Sequence, residues 1–194
     1  MQDIELEQAI EILLAHASSV TETEDVPLLD AVGRVAAEEL CAGFDNPPFD
    51  RSPLDGYTFA AASTRMATAE SPVTLRVIGE ECAGAFFDGT VGAGECVRIM
   101  TGGAIPKGCD CVVRQEDVQE DGERIHVPFT SEPYENYCYA GEDIKKGTVL
   151  IRRGQRIRAA HLAVLASEGY GTVCVYRRVR VAVASTGDEL LQPG

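Results

Sequence analysis

Three prolines in one stretch, Pro47, Pro48 and Pro53, constrain this chain more than any other feature. Proline has no backbone N–H and a fixed φ, so the stretch forms neither a central strand nor the interior of a helix. The pattern is broken from residue 41 to residue 72, with Asp45, Asp50 and Asp55 recurring through it. Only a short strand at residues 57–60 fits. Connections this long inside a compact protein are usually functional or disordered.

The flanking segments differ in texture. Before the break, Leu6, Ala9, Ile10, Leu13, Leu14 and Ala17 recur at three- and four-residue steps, with Glu5 and Glu7 in the first turn, where a helix dipole favours acids. This predicts an amphipathic helix over residues 3–17. Residues 27–40 read as an extended lead-in, a helical turn near residues 30–34 and a strand or helix over 35–40, with Gly33 opposing one long helix. After the break, short strands are expected at residues 73–79, 95–100, 111–115 and 124–128. Turn signals separate them: Phe87-Asp88-Gly89, Gly92-Ala93-Gly94, Pro106-Lys107-Gly108 and Glu120-Asp121-Gly122. That is a small β domain.

Beyond Gly141 the pattern predicts a strand at 148–152, a helix at 159–168 stopped by Gly169 in the left-handed C′ position, and a strand at 172–176. This part is α/β in character. Residues 179–184 are nearly all Val and Ala, the pattern of a strand buried on both faces of a parallel sheet. A parallel partner needs a crossover of a dozen or more residues, so the sequence is expected to be cut just after the first strand of a further domain.

Composition narrows the function. The 194 residues carry 17 Lys+Arg against 31 Asp+Glu, a formal net charge of −14. Nucleic-acid backbones and anionic membranes need clustered positive charge, so neither is an expected partner. No apolar run approaches the ~20 residues that span a bilayer, and the first residues are acidic where a signal peptide is basic, so a soluble, cytoplasmic protein is expected. The 7 cysteines form no C-x-x-C pair and are expected to be reduced.

Four segments offer chemistry. Ser52-Pro53-Leu54-Asp55-Gly56-Tyr57 sets a carboxylate beside a glycine, although on the local sequence alone Asp55 bonding its own backbone in a turn is the commoner reading. The three aspartates of this loop lack the alternate-residue spacing of a calcium loop, so any metal needs ligands from elsewhere. Arg98-Ile99-Met100-Thr101-Gly102-Gly103-Ala104 ends a strand with a hydroxyl and two glycines, whose amides could face an oxyanion or phosphate, although a Gly-Gly turn between strands looks similar and is commoner. Gly141-Glu142-Asp143-Ile144 adds an acidic pair that a solvated turn also explains. Ser185-Thr186-Gly187-Asp188-Glu189-Leu190 follows the expected parallel strand, where open α/β sheets bind ligands, or else caps the next helix. Cys109-Asp110-Cys111 is read as core, since two thiolates alone make a poor zinc site. His16, His126 and His161 lie on separate elements and support no hydrolase triad.

Taken in order, Pro47-Pro48-Phe49-Asp50-x-Ser52-x-x-Asp55-Gly56-Tyr57, Val97-Arg98-Ile99-Met100-Thr101-Gly102, Pro106-x-Gly108-x-Asp110-x-Val112-Val113 with Gln115-Glu116-Asp117, Gly141-Glu142-Asp143-Ile144 and Ser185-Thr186-Gly187-Asp188-Glu189-Leu190 resemble the molybdopterin molybdenumtransferase family, MoeA in bacteria and the gephyrin E-domain type in eukaryotes. The resemblance covers essentially the whole chain and about the first half of a usual member. It implies insertion of molybdate into adenylylated molybdopterin, with release of AMP and a divalent cation such as magnesium, by an elongated homodimer of four-domain subunits.

The implied fold is α+β. A discontinuous α/β first domain (residues 1–43 and 141–177) contributes to dimerisation and carries an inserted β-rich domain (44–140). A pterin-binding α/β domain starts at 178–194 and is cut at its first strand. The family's cleft lies between the second domain of one subunit and the third of the other. Motif matching puts catalytic roles on Asp55, Thr101, Asp143 and Glu189 and substrate-binding roles on Ser52, Gly102 and Asp188. The groups that bind molybdate itself are expected beyond Gly194, and other cofactor-synthesis proteins are implied as possible partners. Two departures stand out: Arg51, where bacterial members commonly have Asn, and Asn136-Tyr137-Cys138, where the family frequently carries Asn-Ile/Val-Arg. A non-catalytic dimerising or scaffold paralogue is the alternative reading, and a cysteine-based metal carrier a distant third.

Overall fold

A computed structural model of the chain describes residues 4–81, 86–183, 189 and 191. In chain order its elements are helix α1 (Leu6–His16), strands β1 (Thr23–Pro27), β2 (Leu40–Cys41), β3 (Gly56–Phe59), β4 (Val73–Glu81), β5 (Glu95–Ile99), β6 (Cys111–Arg114), β7 (Gln119–Asp121), β8 (Arg124–Val127) and β9 (Val149–Ile151), helix α2 (Ala159–Ser167) and strand β10 (Thr172–Tyr176). They fall into two compact units, Met1–Cys41 with Val149–Gly194, and Ala42–Thr148. The architecture is mixed α+β.

The 42–148 unit is built on a six-stranded sheet in the order β6-β3-β5-β4-β8-β7. Every pairing is antiparallel except β4 with β5. All four residues of β3 are buried, as befits a strand with neighbours on both sides. Tyr57, Phe59, Leu75, Cys96, Val113 and Ile125 form its core. Gly56 starts β3 where β6 passes so close that a Cβ would sit 1.8 Å from the Val113 carbonyl oxygen. Only glycine fits there. Strand β7 takes up Glu120 and Asp121, which the sequence pattern assigns to a turn; the turn shifts to Gly122 at φ +58. β7 is an edge strand with all three residues exposed, so its acidic side chains stay in water.

The other unit holds two antiparallel pairs, β1 with β10 and β2 with β9. The expected α/β character is therefore corrected. Helix α2 joins β9 to β10, which belong to different pairs, so it is no crossover between parallel neighbours. Leu28, Ala31, Leu40, Ile151, Leu165 and Val175 pack as its core. The 8 % exposed Arg34 is held by Glu24 at 2.5 Å and the Tyr176 carbonyl at 2.8 Å. Gly169, at φ +82, follows α2 in the C′ position as expected. Residues 35–40 form no continuous element; Val35 and Ala36 make isolated bridges to Arg156 and Val175.

Two apolar segments remain uncovered in this unit. Helix α1 has the expected periodicity, yet none of its residues is buried, and Leu6, Leu13 and Leu14 are about 70 % exposed. The strand expected at 179–184 is also corrected: residues 179–183 have no regular structure, and Val179, Val181 and Val183 are exposed. A strand needs a neighbour to bond its backbone, and none pairs with this segment among the described residues. Ala184 lies outside them. No helix among the described residues is long and apolar enough to cross a membrane.

Candidate active site

The proline-flanked segment 50–55 organises the candidate residues of the 42–148 unit. The Asp50 carboxylate accepts from the Tyr137 hydroxyl at 2.5 Å and the Ala140 N–H at 2.8 Å. Arg51 exchanges backbone bonds with Cys138 and bridges Ala104 on its other side. Ser52 N–H donates to the Gly103 carbonyl, and Gly102 N–H donates to the Ser52 carbonyl. Asp55 Oδ1 accepts both the backbone N–H and the hydroxyl of Thr101, each at 2.7 Å. Pro47 and Pro48 before this segment and Pro53 within it keep it out of the sheet, which leaves its polar groups to tie the 101–104 and 137–143 loops to one spine.

Asp55 and Thr101, 46 residues apart, are thus brought into direct contact. The two Thr101 bonds hold the Asp55 carboxyl below the usual carboxylate range, with a smaller pull from Arg98, so it is ionised at neutral pH. Both Thr101 bonds end on Oδ1, and the Asp55 residue is exposed. An open cleft of about 330 Å³ is lined here by Pro53, Leu54, Asp55, Thr101, Arg114 and Glu116. It contains two carboxylates, one guanidinium and one hydroxyl. The sequence reading did not single out Arg114 or Glu116 as site residues. Glu116 stood within a quoted motif, and Arg114 had no local signal, because only the β3–β6 register sets it opposite Gly56.

Of the two readings of residues 101–103, the structure favours the turn over amides that face an oxyanion. The N–H groups of Thr101, Gly102 and Gly103 are taken by Asp55, the Ser52 carbonyl and the Met100 carbonyl. The Asp55 carboxylate itself stands where an external anion was expected. Ser52 is buried, and its hydroxyl donates to the Leu54 carbonyl at 2.5 Å and accepts the Leu54 N–H at 3.2 Å, so it shapes the loop rather than lining the cleft. Asp143 sits in a separate contact set, 3.6 Å from the Arg51 guanidinium, with its own N–H on the Asn46 carbonyl. Arg51 and Cys138, the two departures from the family pattern, therefore face each other across one bridge. Glu189 is an exposed turn residue of the other unit, and Asp188 lies outside the described residues.

The remaining candidates are structural. Burial pushes the Cys96 and Cys111 thiols up to about 12 and that of Cys109 to about 11, which makes them poor nucleophiles and poor metal ligands at neutral pH. His126 bonds the Thr74 hydroxyl, His16 the Ile12 carbonyl and His161 the Arg158 N–H, each on its own element. No group of three His, Cys, Asp or Glu among the described residues could hold a metal ion by itself.

Comparison with known proteins shows the family to which the chain belongs. The family model described as MoeA N-terminal region (domain I and II) matches residues 4–169. The molybdopterin molybdenumtransferase of Haemophilus influenzae is 38% identical over 191 residues, 97% of this chain and 46% of that protein. That of Bacillus subtilis is 39% identical over 182 residues, 92% of this chain and 42% of that one. A crystal structure of the molybdopterin biosynthesis MoeA protein from Pyrococcus horikoshii superposes with a TM-score of 0.80 at 35% identity, covering 91% of this chain and 45% of that chain. The chain thus spans less than half the length of these relatives. With nearly all of it matched in sequence and in fold, the chain belongs to the MoeA N-terminal region family.

Proposed function

We propose that this chain supplies the N-terminal part of an enzyme that inserts molybdate into adenylylated molybdopterin with release of AMP. The observation that carries the reading is the Asp55–Thr101 contact at the edge of an open cleft, in a chain whose relatives bear the name molybdopterin molybdenumtransferase. Thr101 favours the ionised form of Asp55 through two bonds to one of its oxygens. Glu116 adds a second carboxylate to the cleft and Arg114 a cation suited to a phosphate ester.

The donor set fits magnesium in one particular mode. Two carboxylates are too few for an all-protein cage, but Mg²⁺ is commonly held by one or two carboxylates with substrate phosphates and water completing its shell. When bound, the ion would offset the negative charge of phosphate and molybdate. Asp55 and Glu116 are the residues that would hold it, and Arg114 would orient the phosphate. In this reading residues 1–43 with 141–177 form a dimerising first domain, 44–140 an inserted second domain, and 178–194 the start of a pterin-binding domain that brings Asp188 and Glu189 to the substrate. The protein works in the cytoplasm as a homodimer, with α1 offering its exposed apolar face to the partner subunit.

The test is restoration of molybdenum-cofactor synthesis in a strain lacking its own molybdenumtransferase, using the polypeptide that the gene encodes. Restored synthesis is expected, and failure by a well-folded product would overturn the reading in favour of a scaffold paralogue. The 194 residues alone are expected to show no insertion of molybdate, because the segment with Val179, Val181 and Val183 is exposed rather than built into a pterin pocket. Turnover by them would contradict that division of labour.

A further inference from the structure

We infer that Arg51 is a positioning residue for Asp143, holding its carboxylate against the 50–55 segment that also carries Asp55, and that a cation at position 138 could do the same work. The inference rests on the reading of Asp55, Thr101 and Asp143 as parts of one molybdenum-insertion site. Arg51 N–H donates to the Cys138 carbonyl at 2.9 Å, and Cys138 N–H donates back to the Arg51 carbonyl at 3.0 Å. Directly opposed residues of such an antiparallel pair carry their side chains on one face, with Cβ atoms about 4.5–5.5 Å apart. The Arg51 guanidinium accordingly lies beside the Cys138 thiol and reaches Asp143 Oδ2 at 3.6 Å. A positive charge on either strand of this bridge faces the same carboxylate.

Two further features separate positioning from stability. The side chains of Arg51 and Asp143 are 37% and 58% exposed, and exposed ion pairs contribute little to folding. The backbone at Arg51 is held independently of its side chain, by Cys138 on one side and Ala104 on the other. The guanidinium is thus free to act on orientation alone. Arg51 precedes Asp55 by four residues, so one short segment carries both the guanidinium and the Asp55 carboxylate.

Three variants test this: Arg51→Asn, Arg51→Lys and the double variant Arg51→Asn/Cys138→Arg. Each is read first by NMR of the 194-residue chain, through the side-chain carboxylate carbon and backbone amide of Asp143. Arg51→Asn should move both signals, and the double variant should return them towards their original positions. Molybdate insertion by the polypeptide that the gene encodes is the second readout. There Arg51→Asn should lower kcat/KM about tenfold, as loss of an outer-shell partner commonly does. Arg51→Lys should lose less, and the double variant should recover most of the loss. Asp143 signals that ignore Arg51→Asn would overturn the inference whatever the activity shows, and so would an activity loss that the double variant fails to recover. Absence of insertion by the unmodified polypeptide would instead overturn the functional reading, and the NMR signals would still decide the placement of Arg51.

Discussion

The sheet of the 42–148 unit and two segments of the other unit treat apolar sequence in opposite ways. In the 42–148 unit Phe59, Leu75 and Ile125 are fully buried by neighbouring strands of the same sheet. In the other unit Leu6, Leu13 and Leu14 on α1, and Val181 and Val183 after β10, are equally apolar and stay in solvent. The difference teaches that an apolar pattern specifies a face to be covered and says nothing about what covers it. The strands of the 42–148 unit find their cover within a few dozen residues of chain. Neither α1 nor residues 179–183 finds it among the described residues.

Stability measurements can break this comparison. The largest effect is expected from Gly56→Ala, because its Cβ would collide with the Val113 carbonyl oxygen and force β3 from β6. Urea unfolding should register a loss of about 4 kcal/mol or more, or no soluble protein. Phe59→Ala should follow at about 3–5 kcal/mol, from lost burial plus an unfilled cavity. By contrast, Leu13→Ala on α1 should change the stability of a single subunit by no more than about 0.5 kcal/mol, since Leu13 is about 70 % exposed within it. A large loss from Leu13→Ala would mean that α1 is covered in solution, and light scattering would then identify a second copy as the cover.

Smaller effects sharpen the contrast inside the 42–148 unit, between its sheet and the spine at residues 50–55. Asp50→Ala removes two charge-assisted bonds, to Tyr137 and Ala140, and should cost about 2 kcal/mol. It should also free the 137–140 loop to exchange its amide hydrogens faster while the sheet keeps its protection. Equal loss of protection in both would tie the spine into the core and contradict the distinction.

The pH response gives the smallest and most local signal. The Asp55 carboxyl is held below its ordinary value of 3.8 by the Thr101 bonds, so the unfolded state takes up a proton first as the pH falls. Its contribution to stability is therefore complete above the ordinary carboxylate range and fades as the pH drops through the depressed value. The difference in unfolding midpoint between the wild type and Asp55→Asn should be constant near neutrality and vanish in acid. A difference that grows in acid would reverse the sign and remove the Thr101 bonds as its cause.

Much of this was legible in the sequence, for local reasons. Strands β3, β4, β5, β6, β8 and β10 follow apolar runs bounded by Gly and Pro, and α2 ends at the glycine that closes it. Asp55 stood out because Gly56 lies beside it, and Thr101 because Gly102 follows it. The rest depended on register. That the amides at 101–103 are already occupied depends on Asp55 and Ser52, dozens of residues upstream. Arg114 enters the cleft only through the pairing of β6 with β3, and Arg51 meets Asp143 only across the bridge to Cys138. Strand β7 was illegible because edge strands tolerate charge, and residues 179–183 misled because a Val-rich run looks the same with or without a sheet to receive it.

The central claim is that Asp55 acts in chemistry and not merely in a turn. Asp55→Asn preserves shape and the capacity to accept the Thr101 bonds while removing the charge. Turnover in molybdate insertion and the thermal midpoint should be measured side by side for the gene-encoded polypeptide and this variant. The account predicts a large fall in turnover with only the small fall in midpoint at neutral pH that loss of the ionised carboxylate brings; full turnover by Asp55→Asn would contradict it and return Asp55 to the role of a turn former.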